Sequence, residues 1–192
     1  MAAALACGLA ASAHAGTKMV KTWSEPALGP LKFQKVLVLV IAPHESQMQF
    51  GEAVLVSLMK RTQGVAAHAA MPNDDAKDEQ KMRAYVAQQG FDGAVTLRLM
   101  ASSQEATATS GIVPLYTGFW NYYGYAWPMV SDVGYVHTER LFYMETLVYS
   151  LKDDKVVWSG ISKSKDPKNA RQLVEEVAAA VGKDLKKRQL ID

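Results

Sequence analysis

Three kinds of residue in this chain could do chemistry: histidines and aspartates that could hold a metal, carboxylates in a strand that could move protons, and one cysteine. The metal reading fails on spacing. His44, His68 and His137 lie far apart, none has a second ligand four residues away, and there is neither a His-Glu-x-x-His helix nor a calcium-type loop. Asp74, Asp75 and Asp78 sit where a helix should begin, and the helix dipole accounts for acids there. Glu139, Arg140 and Glu145 are the most suggestive charges. With a period of two, Arg140 and Glu145 point to opposite faces, while Glu139 and Glu145 share a face but stand about 20 Å apart. That is too far for the paired carboxylates of sugar hydrolysis, so these charges are expected to guard an edge strand against aggregation. No Gly-x-Ser-x-Gly elbow is present. Pro43-His44-Glu45 occupies the turn where a nucleotide fold needs glycine beside a phosphate. The sequence therefore points to no catalytic residue, no cofactor and no metal.

Cys7 is the only cysteine, which excludes an intramolecular disulfide. It stands in Ala4-Leu5-Ala6-Cys7, which approximates the site where a lipoprotein cysteine is acylated and becomes residue one. It also lies inside an uncharged stretch, Met1 to Ala15, that ends Ala13-His14-Ala15. An apolar run closed by a small-x-small triplet is what a signal peptidase accepts, although the usual basic start is missing. Residues 1–15 are expected to be an export signal, cleaved after Ala15 or processed at Cys7. The working protein is then one domain, residues 16–192, in the periplasm or anchored to the outer membrane.

That length builds one ordinary core. Net charge is +2, with both signs interspersed, which gives no reason to expect nucleic acid. Lys183, Lys186, Lys187 and Arg188 crowd the end of a helix, where the dipole favours cations.

The elements that position these residues follow from periodicity. Gly16 to Leu31 reads as an extended lead-in whose Trp23 folds back on the core. Phe33 to Ile41 is almost wholly apolar from Val36, as in a strand buried on both faces. Glu45 to Arg61 carries a helical stripe of Phe50, Val54 and Leu58, and Val65 to Ala69 reads as a short strand. Pro72 to Asp75 offers turn and cap residues for a second helix ending near Gln89, with Gly90 as its cap. Phe91 to Met100 returns to the sheet. Tyr135 to Leu151 and Lys155 to Ile161 form a hairpin turning at Asp153-Asp154. Asp166-Pro167 opens a last helix bearing Val174, Val177, Val181 and Leu185. The fold expected is α/β, one mixed sheet of about five strands in the order β-α-β-α-β-(aromatic loop)-β-β-α. Helices lie mainly on one face, with the first and last together.

The alternation breaks over residues 101–134, where Tyr116, Phe119, Trp120, Tyr122, Tyr123, Tyr125 and Trp127 crowd together without Lys or Arg between Tyr116 and Trp127. Nucleic-acid platforms pair such rings with basic charge. Two readings remain, a lid folded over the sheet or a surface for a partner protein or glycan.

Several segments in order resemble a family of uncharacterised lipoproteins of Gram-negative envelopes. They are Trp23, the strand Phe33 to Ile41 with its helix, Gly90-Phe91-Asp92-Gly93-Ala94, the Tyr/Gly-rich insertion, Met144-Glu145-Thr146 with Tyr149, Val157-Trp158-Ser159-Gly160 and Asp166-Pro167. More remotely, the order of elements is similar to the amino-terminal domain of TolB and to lipoproteins that activate peptidoglycan synthases. The resemblance implies an envelope location, no known catalytic residues and work done by binding partners. The function expected is a non-catalytic partner-binding or assembly module of the envelope. The alternatives are a small-molecule-binding or hydrolytic periplasmic domain, and a structural subunit of an envelope complex.

Overall fold

A computed structural model describes residues 16–26, 29–71, 78–101, 118–126 and 141–192. The expectations for Cys7 and the export segment, for the Pro72 to Asp75 turn, for Tyr116 and Trp127, and for His137, Glu139 and Arg140 lie outside them.

The most apolar strand is β2 (Lys35–Ile41), buried from Val36 to Ile41. It pairs in parallel with β3 (Gln63–Ala66) and β4 (Gly93–Ala101). Beyond β4 the sheet turns antiparallel through β5 (Leu141–Ser150), β6 (Lys155–Lys165) and β1 (Lys18–Ser24), giving six strands ordered β1-β6-β5-β4-β2-β3. The sheet is thus mixed, as its alternating pattern predicts.

Strand pleating sorts the side chains into two cores. Val36, Val38 and Val40 meet Val54 and Leu55 of α1 (Glu45–Leu58) and Val174, Val177, Val181 and Leu185 of α5 (Ala170–Lys187). These two longest helices share one face, the first and last together. Gly51 lets α1 come close, since a Cβ there would meet the Val40 methyls at 3.1 Å. On the other face Leu37, Leu39 and Ile41 pack with shorter pieces: α2 (Ala67–Ala70), α3 (Glu79–Gln89) and α4 (Phe119–Ala126).

Several local expectations change. The lead-in is a strand, because Lys18 to Ser24 finds the open edge of β6; its Trp23 does pack on the core. The segment after Ala66 coils into α2 instead of continuing β3. Asp166 and Pro167 do not open the last helix. Asp166 sits at φ 46°, and Asn169 is the cap, accepting from the Gln172 N–H at 2.9 Å. Asp78 caps α3 through the Gln80 and Lys81 N–H groups, and Gly90 ends it at φ 67°. Strand β5 lies between β4 and β6, so Glu145 is no edge guard.

Val177 is 1% exposed at the centre of the α1/α5 core. Val177→Asp is expected to cost on the order of 4 kcal/mol, read as a fall in the urea midpoint. A midpoint unchanged by the substitution would mean that the inward face of α5 is wrongly assigned.

Candidate functional site

The charges that could do chemistry meet on the face beneath α4. Arg98 and Glu145 are directly opposite in the β4/β5 register and therefore share a face. The guanidinium holds one carboxylate oxygen twice, with Nε 3.0 Å and Nη2 2.9 Å from Oε2. From above, Tyr122 donates its hydroxyl to the same oxygen at 3.1 Å. Glu145 is 1% exposed and Tyr122 fully buried.

Helix α4 reaches this position because the β5/β6 turn holds its first residue. The Asp154 carboxylate accepts from the Phe119 N–H at 2.9 Å. Phe119 stands edge-on to Tyr149 at 5.2 Å, and Tyr122 lies 6.0 Å from the same ring.

The electrostatics hold the protons of Arg98 and Tyr122 in place. Burial, the largest single influence, works to lower the Arg98 pKa, but the charges and hydrogen bonds of Glu145 and Tyr122 together outweigh it and the net shift is upward. Burial, then the Glu145 charge, pushes the Tyr122 phenol far above its usual value. Both remain donors across the physiological range, whereas a general acid or base needs a pKa near the working pH. The cluster is built to join α4 to the sheet.

A second buried carboxylate performs a comparable task on β2. Where β3 gives way to α2, the Val40 N–H loses its strand partner, and Glu52 accepts it at 3.0 Å. The other Glu52 oxygen accepts from the His68 N–H at 2.9 Å and contacts His68 Nδ1 at 2.7 Å. Burial raises the Glu52 pKa against the opposing pull of those hydrogen bonds. A third group ties down the end of α5: Asp184 accepts from Trp158 Nε1 at 2.9 Å and from Arg188 Nε at 2.7 Å, and Arg188 donates onward to Ser24 and Thr22 of β1.

The residues singled out from sequence scatter. His44 is exposed at the start of α1 and makes no capping bond, and His68 serves Glu52. Among the described residues no three His, Cys, Asp or Glu side chains come together as metal ligands. Of the aromatic set, Phe119, Tyr122 and Tyr123 are fully buried core rings. Trp120 is half-buried, with the Arg83 guanidinium 4.3 Å from its ring. Tyr116, Trp127 and the Tyr125 side chain lie outside the description. Arg98 was missed, though alternation along Thr96-Leu97-Arg98-Leu99 places it on one face with Thr96. Glu52 had no signal beyond a lone acid beside an apolar stripe.

Glu145→Ala should cost about 3–5 kcal/mol by stranding the Arg98 charge, while the apolar pair Arg98→Met with Glu145→Leu should cost far less; urea titration compares them. Glu52, with its folded pKa raised above the ordinary 4.5, supports the fold most fully below that value and loses its contribution as pH rises through the folded pKa. The stability of the wild type relative to Glu52→Gln is therefore expected to fall from about pH 4 upward, and a pH-independent gap would contradict this.

No family model and no curated protein matches the chain. Among solved structures it is similar to the PelC dodecamer from Paraburkholderia phytofirmans, at 11% identity and TM-score 0.45, over 92% of this chain and 99% of that one. It is also similar to a single-substitution variant of that dodecamer, at 13% identity and TM-score 0.42, over 89% of this chain and 95% of that one.

Proposed function

We propose that this chain is a non-catalytic protein of the bacterial envelope that works as a subunit of an assembly. The observation that carries the reading is what the buried charges do. Arg98, Glu145 and Tyr122 are closed on one another, and Glu52 is committed to the backbone of β2 and α2. Chemistry-bearing side chains used as struts support a scaffold better than a hydrolase, whose acid and base must reach substrate. The apolar segment Met1 to Ala15 supports export, and its Cys7 supports a lipid anchor.

Partner binding without self-assembly is the neighbouring reading, with an envelope protein or glycan as partner. Light scattering on the purified, exported chain separates the two. A stable, concentration-independent oligomer is expected for the assembly subunit, and a monomer that captures an envelope component would favour the partner-binding module. Robust turnover of generic ester, phosphate or glycoside substrates, lost in a Glu145→Gln variant, would overturn both.

A further inference from the structure

The corner of the sheet where the described chain begins gathers lysines on one face. Lys18 of β1 and Lys163 of β6 are direct cross-strand partners, which puts like charges about 4.5–5.5 Å apart at Cβ, an unfavourable arrangement by itself. Both lie on the α4 side of the sheet: Met19 packs on the opposite core, and the Lys163 ammonium sits 5.6 Å from the ring of Tyr143, which packs on the near core. The bulge between Met19 and Lys21 brings Lys21 to the same face, opposite Ile161, and Lys165 follows Lys163 by one strand period.

Lys18 and Lys21 are exposed and Lys163 is half-buried. None of the three is in a salt bridge among the described residues. Asp166, at the end of β6, is the acid nearest in sequence to Lys163 and Lys165. The carboxylate of Glu145 on this face is already taken by Arg98. Guarding an edge strand explains Lys18 and Lys21, but it gives no reason to set Lys163 of an interior strand against Lys18. The basic residues at the far end of α5 differ, because Lys186 and Lys187 occupy the last helical turn, where the dipole accounts for them.

We infer that Lys18, Lys21 and Lys163 form a docking face for the phosphates of an anionic lipid surface. Charge complementarity selects the phosphates, and position selects the membrane. Lys18 stands three residues after Ala15, the end of the apolar segment that carries Cys7, so an anchored chain would emerge beside this patch. One acyl signal holds a protein to a bilayer only marginally, and a basic cluster is the usual second signal. The choice of lipid rests on the envelope reading above; the lysine cluster does not.

The test is flotation of the exported, processed chain with vesicles of phosphatidylcholine alone and of phosphatidylcholine with phosphatidylglycerol. An acyl anchor acts on both kinds, so the difference between them reports the patch. Preference for the anionic vesicles, reversed by salt, is expected. The triple variant Lys18→Gln, Lys21→Gln, Lys163→Gln should weaken anionic binding roughly tenfold or more with an unchanged melting temperature. The charge-matched control Lys183→Gln, Lys186→Gln, Lys187→Gln should leave it intact. Equal binding to both vesicles, or equal loss in the two variants, would overturn the docking face. The oligomeric state measured above is unaffected by either result, so the two proposals fail separately.

Discussion

Strand β2 has no wet face, and the rest of the architecture answers to that. A strand that is apolar on both sides must be covered on both sides, and this chain covers them unequally. Long α1 and α5 lie over the valines at 36, 38 and 40, in a core that is mostly aliphatic around the one fully buried ring of Trp158. The opposite side is covered piecemeal by α2, α3 and α4, and its core is mixed, with rings, methionines and a buried ion pair. One face resembles the interior of a compact α/β protein, and the other is a patchwork held together by named polar contacts.

Those contacts all do one job, which is to finish backbone or charge that the sheet leaves incomplete. Glu52 takes the N–H groups of Val40 and His68 where β3 stops short. Asp92 accepts from the N–H groups of Gln34 and Lys35 at the start of β2, at 2.8 and 2.9 Å. Asp154 takes the Phe119 N–H at the start of α4. Glu52, the buried one of the three, is costly to remove, because the donors it satisfies would be left unpaired. Acidic residues in this chain therefore read better as joinery than as reagents.

The elements legible in the sequence were those whose period is long and regular. Val36 to Ile41 and the stripe from Val174 to Leu185 are each set by their own residues, and each stands where the pattern puts it. What escaped was decided by distant partners. Lys18 to Ser24 has no alternation that marks a strand and becomes one only because β6 offers an edge. Ala67 to Ala70 turns away because Glu52 replaces the next strand pairing. The Arg98 and Glu145 pair could be found only by knowing that β4 and β5 are neighbours in that register. Burial of Phe119, Tyr122 and Tyr123 likewise follows from where Asp154 fixes the start of α4, which no local pattern of rings encodes.

The placement of β1 also governs when this protein can fold. Among the described residues its strand partner is β6, and Thr17 is hydrogen-bonded to Ser164, a residue 147 positions later. The far end of β1 is held by Arg188, after the last helix, and Leu31 donates its N–H to the Leu190 carbonyl at 2.8 Å. The first strand thus waits for β6, encoded near the other end of the chain, and contacts of such long range form late. This topology keeps the leading segment uncommitted until the trailing one arrives.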